Sequence, residues 1–319
     1  MLYPIGIPVQ DSVEDLIGYI DSSGRIVVQP MFKAGTHVSE GFASVICKDS
    51  QTGFIDVSGQ VAIPFKFRGL GQFHEGLCSI GGRERVGYVD RTGRWHIKPT
   101  FAVAGRFCEG LAKASPNGAS FGYVDKTGTF VVKPVYEQGG VFRNGLAAVM
   151  ESGRWGYIGR DGVLAIAIQF EGPRAQPFTD GLAGVSVGGR WGFIDALGNW
   201  VVMPQFDDVG RFYEGLAPVM KDRKWGLIDT CGRLQFVPRF DDLGEFDGGM
   251  AAASFNGRAG YISPEGDWVI PPGFDRCYRF SGDLAIVKTA DSYKYVSRNG
   301  AIVWASEPYS MPQAPPYLE

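Results

Sequence analysis

The chain has 319 residues, enough for one large or two ordinary domains, and at 45% hydrophobic and 20% charged it has the composition of a packed protein, not a disordered one. A formal net charge of −3 with no long basic run removes the electrostatic footprint of nucleic-acid binding. No run of about 18 apolar residues offers a membrane-spanning helix, and the scattered cysteines Cys47, Cys78, Cys108, Cys231 and Cys277 predict reduced thiols in a cytoplasmic setting.

The first residues, MLYPIGIPVQDSVED, lack the basic stretch and apolar core of a secretory leader. After them a glycine returns at a spacing of about 34 residues, the mark of a repeat architecture. It falls at Gly18, Gly53, Gly87, Gly122, Gly156, Gly192, Gly226 and Gly260, with Lys294 in its place in a ninth copy. Two apolar residues follow each time, as in Tyr19-Ile20, Tyr88-Val89 and Tyr157-Ile158. Adjacent strand positions face opposite ways, so this central strand is expected to be buried on both faces. Next comes Asp-x-x-Gly, as at Asp21–Gly24 and Asp195–Gly198, a tight hairpin in which Asp bonds its own backbone and Gly accepts positive φ.

A period-2 strand follows the hairpin, with apolar residues two and four past the turn glycine: Ile26/Val28, Trp95/Ile97, Trp200/Val202. Both are expected to be buried. The strand is expected to end at a proline such as Pro30, Pro99 or Pro204, which has no N–H for a ladder. Then comes Phe-x-acid-Gly-Leu-Ala-x-Val, as at Phe212–Val219. Its second residue past the glycine is always small (Ala43, Cys78, Ala217), and the next position, which accepts Lys113, Gly184 and Pro218, reads as solvent-facing on an edge. Three antiparallel strands would reverse direction at every copy. A short fourth strand is therefore inferred around the first aromatic of the connection, Phe32, Phe67, Phe206 or Phe240.

One such unit cannot bury its apolar faces alone. The chain therefore reads as all-β: about nine tandem antiparallel β-repeats of about 34 residues over 1–304, the first and last partial, forming a propeller-like toroid. An open β-solenoid is the alternative, because the chain begins and ends in similar strands with no evident complementary closure. Residues 305–319 form a Pro-rich tail. Two irregularities stand out: the polar loop Ser115–Ser120, and the connection Phe170–Phe178, two residues longer than its counterparts. Each could be a partner contact or simple drift in an exposed loop.

The phrases RWGYIG at Arg154, RWGFID at Arg190 and KWGLID at Lys224, with the downstream Phe-x-Glu-Gly-Leu-Ala-x-Val, resemble the WG-repeat (KWG-repeat) proteins of bacteria. The resemblance spans residues 14–304. The namesake tryptophan is present at Trp155, Trp191 and Trp225, and is replaced by Ile17, Thr52, Val86, Phe121 and Ala259 elsewhere. It implies an all-β repeat with binding roles and brings no catalytic residues with it.

The residues themselves suggest little chemistry. His37, His74 and His96 have no metal-like spacing, and no Cys-x-x-Cys exists, so neither metal nor cofactor is expected. His74 reads as a solvated loop residue, Cys78 as core, and Cys108 as a weak candidate for a reactive thiol. The carboxylates Glu40, Glu75, Glu109, Asp180 and Glu214 recur in nearly every copy, which suits turn acceptors better than a single active site. A basic residue precedes the central strand at Arg85, Arg154, Arg190, Lys224 and Arg258, with Lys48, Lys221 and Lys288 in neighbouring loops. Repeats in register would set these on one rim, and the candidate partner-binding residues are the first five, facing an acidic protein surface. The expected function is a non-enzymatic protein-binding scaffold, by analogy an inhibitor or immunity-type partner of another bacterial protein. The alternative is a carbohydrate or cell-envelope module, in which tandem aromatics would stack on sugar rings. No nucleic-acid partner and no membrane insertion are expected.

Overall fold

The computed structural model describes residues 1–7, 16–82, 84–290 and 292–306. Most of the anticipated C-terminal tail, 307–319, lies outside the described residues. All regular structure among the described residues is β, in nine small antiparallel sheets of three or four strands. Each is a propeller blade, numbered 1 to 9 along the chain, with strands A to D in chain order. In blade 7 these are Asp208–Val209, Leu216–Lys221, Lys224–Asp229 and Leu234–Phe240, hydrogen-bonded in that order. An open β-solenoid would place equivalent strands of successive copies in one shared sheet. Here every copy has a sheet of its own, so that alternative falls.

By contacts the chain divides into two compact units. One holds residues 1–118, 124–129 and 281–319, the other 119–123 and 130–280.

The predicted central strand is strand C, and both of its apolar residues are buried: Tyr157 and Ile158 have no solvent exposure. Strand D differs from expectation. It runs through the proline to the following aromatic, as Leu234–Phe240 does. The register gives the reason. Trp225 pairs with Phe240 and Leu227 with Phe236, so strand D spends four residues where strand C spends two. Pro238 sits in this bulge on the sheet's last strand, where a missing N–H costs nothing. The bulge also displaces the burial pattern: Phe236 and Phe240 are buried, while Leu234, beside the turn, is exposed. Trp95 and Trp268, at the same beside-the-turn position, lie at the rim and pack edge-on against Phe67 and Phe240 of the preceding blade at 5.3 and 5.6 Å.

The aromatic expected in a fourth strand is thus the last residue of strand D. The fourth strand exists, but as strand A of the next blade, beginning two residues later: Ala34–Gly35 after Phe32, Asp208–Val209 after Phe206. Strand A covers strand B, so B is not an edge. Pro218 is buried and accepts from Gly210 N–H at 2.8 Å; in blade 6, which has no strand A, the connection does the covering and Gly184 is buried beneath Gln176.

The recurring glycine follows from the same bulge. A Cβ on Gly226 would lie 2.8 Å from Pro238 N and 2.9 Å from Phe236 O, closer than real side chains sit. In blade 9 strand D is only Ile302–Ala305, without proline, and pairs one-to-one with strand C at Lys294↔Ala305 and Tyr295↔Trp304. The register shift in this pair lies further on, between Tyr295 and Val296, so position 294 meets no bulge and a lysine is accommodated.

Two contacts repeat between successive blades. The strand C aromatic packs on the Phe that ends the next connection: Tyr88 on Phe107 at 4.7 Å, Tyr157 on Phe178 at 4.9 Å, Phe193 on Phe212 at 4.8 Å. Where it is tyrosine, its hydroxyl donates to a carbonyl of that connection: Tyr19 to Thr36 (2.9 Å), Tyr88 to Gly105 (2.7 Å), Tyr123 to Gly140 (2.8 Å), Tyr157 to Gln176 (2.7 Å) and Tyr261 to Tyr278 (2.8 Å). A buried phenol needs such an acceptor, and a buried carbonyl needs such a donor.

Within the first unit the N-terminal strand meets blade 9. Tyr3–Ile7, a strand the repeat pattern did not reveal, pairs antiparallel with Leu16–Ile20 and completes blade 1 from its N-terminal side. The Tyr3 ring packs edge-on against Tyr295 at 5.7 Å and its hydroxyl accepts from Asp283 N–H at 3.1 Å; Tyr295 in turn donates to Pro4 O at 2.8 Å. Blades 1 and 9 are therefore joined by the same tyrosine contact that joins neighbours along the chain.

Candidate functional site

Four of the five predicted basic residues open a strand C: Arg154, Arg190, Lys224 and Arg258. Each reaches the acidic residue that follows the strand D aromatic of its own blade. Arg154 lies 3.7 Å from Glu171, Arg258 2.6 Å from Asp275, and Arg190 and Lys224 pair with Asp207 and Asp241. The Lys224 hydrogen bond, with lesser help from the Gly257 N–H, holds the Asp241 carboxyl below its ordinary range. Arg85 instead donates to the carbonyls of Thr100 (2.9 Å) and Pro116 (2.7 Å). The cations are thus half of a repeated acid–base fastening. The other half was legible as an acid 17 residues further on, but only pairing of strands C and D brings the two together.

The carboxylates before the loop glycine fasten differently from a turn acceptor of their own loop. Glu40, Glu75, Asp180 and Glu214 have φ between 50 and 54°, and each accepts from the turn glycine of the next blade. The distances are 2.9 Å from Gly76, 3.0 Å from Gly110, 2.8 Å from Gly215, and 2.8 and 3.0 Å from Gly248 and Gly249. Arg91 and Lys126 add ion pairs to Glu40 (2.7 Å) and Glu75 (3.2 Å). Burial acts to raise the Glu40 pKa, but the Arg91 and Gly76 hydrogen bonds outweigh it and the carboxyl stays below its ordinary range.

In the second unit a further cluster goes beyond what the repeat requires. The long connection Phe170–Phe178 takes the place of strand A in blade 6, which has three strands. It is folded onto blade 7: buried Gln176 donates to Val209 O at 2.8 Å, and Arg174 pairs with Asp208 at 2.6 Å and stacks on Trp191 at 4.7 Å. At the residue preceding the connection Phe, successive blades carry Arg211, Glu245 and Arg279. Glu245 is held between the two arginines, 2.7 Å from Arg211 and 3.0 Å from Arg279. Arg279 also meets Asp247 at 3.2 Å, and both guanidiniums lie over the Tyr213 ring, at 5.6 and 4.3 Å. A cavity of about 370 Å³ opens beside Arg174, Gln176, Arg211 and Glu245. The guanidiniums of Arg211 and Arg279 are partly exposed while Gln176 is buried, in a setting where paired Arg and Tyr present much rigid, amphipathic contact area. Sequence reasoning noted the long connection but not the Arg–Glu–Arg row, whose members look like variable loop residues until the blades are stacked.

The remaining candidates stay apart. Cys78 is buried and burial pushes its thiol up to about 12, as a core residue requires. His74 lies in Phe73–His74, a strand and not a solvated loop, half-buried; burial first and then Arg106 lower its pKa. His37 is pulled down to about 4 by burial. Among the described residues no cluster of His, Cys, Asp and Glu could hold a metal, and no helix is long and apolar enough to cross a membrane. The indoles of Trp155 and Trp191 are buried and so are not exposed stacking platforms for sugars.

Blades of this build, fastened by strand C tyrosines and by carboxylates reaching the next turn, define an all-β repeat protein of the propeller class. More narrowly, the chain belongs to the WG containing repeat family, whose model matches residues 17–49, 53–80, 87–118, 121–155, 155–191, 191–225, 225–258 and 260–293. A comparison with curated protein sequences gives no match. Among solved structures, a crystal structure described as the eukaryotic initiation factor is similar over 98% of both chains, with 11% identity and a TM-score of 0.67, a likeness of fold. BamB from Moraxella catarrhalis matches 83% of this chain and 96% of its own, at 12% identity and a TM-score of 0.43. Hsv2 of Kluyveromyces lactis matches 70% and 87%, at 11% identity and 0.42.

Proposed function

We propose that this chain is a non-catalytic protein-binding scaffold that docks its partner on the Arg–Tyr–Glu surface of the second unit. The observation that carries the reading is the row Arg211–Glu245–Arg279 over Tyr213. It gathers the residue types that dominate interface energetics in one half-exposed place. The repeat does not need it, since the slot of Tyr213 is filled by Ser39, His74 and Thr179 in other blades. Two partly covered carboxylates, Glu245 and Asp247, and two guanidiniums suit a partner with mixed charge. In this reading Arg154, Arg190, Lys224 and Arg258 form a charge-balanced border that an acidic partner could engage only by competing with their carboxylates. An inhibitor or immunity-type role against another bacterial protein, in the cytoplasm, is the specific form of this proposal.

The test uses the full chain as bait in its native cell, beside Tyr213→Ser, which installs the residue blade 2 already carries. A stoichiometric protein held by the parent chain and lost from the variant supports the reading. Absence of any such protein, or equal capture by both, overturns it.

A further inference from the structure

The position before the strand C glycine has a definite structural job. In blade 5 the Trp155 indole is buried and donates Nε1–H to Gly172 O at 3.2 Å, 17 residues further on at the start of the next connection. In blade 2 Thr52 makes the equivalent bond, its hydroxyl 2.6 Å from Gly69 O. The position is otherwise filled by Ile17, Val86, Phe121, Trp191, Trp225 and Tyr293, all larger than the residue in blade 8, Ala259.

By the same spacing the counterpart of Gly172 in blade 8 is Arg276. Between Ala259 and Arg276 lies a cavity of about 410 Å³, within the size range of small-molecule sites. Ala259 pairs with Ser254 on strand B and aligns with Phe274 on strand D, so its side chain points to the face from which Tyr261 reaches Tyr278 O. The cavity therefore occupies the ground that an indole holds in blade 5. The space stays open because Gly244, Ala252 and Ala253 contribute almost no side chain. Its lining is partly polar: the Arg276 guanidinium lies over the Tyr278 ring at 4.8 Å, and Asp242 and Asp275 also line it.

We propose that this cavity binds a planar aromatic ring bearing an N–H, of indole size, which takes the place of the side chain blade 8 lacks. Small residues leave room for the ring, and Arg276, the counterpart of Gly172 by the 17-residue spacing, is the residue whose carbonyl the ring N–H would meet. The ring can belong to a free small molecule or to a tryptophan side chain of another protein. The cavity shares Glu245 and Arg279 with the row described above, but the inference does not rest on that docking surface, and it is read with a small probe so that either can fail alone.

The experiment is ligand-observed saturation-transfer NMR on the full chain with indole, 1-methylindole and N-acetyltryptophanamide. Indole is expected to bind and 1-methylindole, which has no N–H, to bind more weakly. Tighter binding of N-acetyltryptophanamide than of indole assigns the site to a peptide-borne ring, and the reverse order to a free molecule. Ala259→Trp fills the space and is expected to abolish the signal. Ala252→Leu narrows the cavity at a position where other blades carry Lys113 and Pro218, so folding should survive, and binding should fall at least about tenfold, on the order of 1.4 kcal/mol. If Ala259→Trp fails to fold, Ala252→Leu decides. No transfer to indole at millimolar concentration, or unchanged binding in a folded variant, overturns the proposal.

Discussion

Tyr295 donates its hydroxyl to the carbonyl of Pro4 at 2.8 Å, across 291 positions of sequence. Within the first unit this bond does for blades 9 and 1 what Tyr88 and Tyr19 do for neighbours along the chain. It depends on Tyr3–Ile7, a strand supplied from outside the repeat pattern.

Tyr295→Phe keeps the ring against Tyr3 and deletes only the donor, leaving a buried carbonyl without it. The expected loss is about 1 kcal/mol, read as a lower urea midpoint with an unchanged slope. Deleting residues 1–7 should cost considerably more, because it also strips the partner from Leu16–Ile20. An unchanged midpoint in Tyr295→Phe would show that the bond does not hold the two blades together.

Gly87→Ala places a Cβ 2.5 Å from Ile97 O and 2.7 Å from Pro99 N, both backbone atoms that cannot step aside. Destabilisation of about 1–3 kcal/mol or more is expected from overpacking. Lys294→Ala, at the same repeat position in blade 9, should be within about 0.5 kcal/mol of the parent, as for an ordinary surface change. Chemical denaturation of the two variants side by side checks the assignment of the glycine to the strand D bulge. Similar costs at both positions would refute it.

Asp21 receives the Ser23 hydroxyl at 2.6 Å, with the N–H groups of Ser23 and Arg25 adding to it, and these bonds lower its pKa from 3.8 to about 2. Asp56, Asp90, Asp125 and Asp195 are lowered for related reasons in their own hairpins. A depressed folded-state pKa contributes stability that is fully present above the unfolded value and is lost as pH falls through the folded one. The window for Asp21 therefore runs from about 3.8 down to about 2. Asp21→Asn keeps an acceptor but cannot titrate, so the dependence of stability on pH should flatten across that interval. Equilibrium unfolding of parent and variant at several acid pH values measures it, and parallel curves would count against the hairpin bonds as the cause.

Much of this molecule is local and therefore readable in one dimension. The period of the glycines, the doubly buried Tyr-Ile pairs and the Asp-x-x-Gly hairpins each depend on residues within a few positions, and strand periodicity and turn chemistry report them directly. The two-residue bulge at the proline was not readable, because it is defined by register against strand C. It moved the end of strand D from Pro238 to Phe240 and exposed Leu234. Nor could spacing alone show that Glu214 serves the turn of the next blade and not its own, or that Arg211 and Arg279 share Glu245. The amino-acid order by itself determined the repeat, its strands and its turns, because those are set by nearest neighbours along the chain. Only the tertiary structure decided how copies are fastened, where the N-terminal strand meets blade 9 and which alanine leaves a cavity, because those depend on side chains about 17, 34 or nearly 300 residues apart being brought within bonding distance.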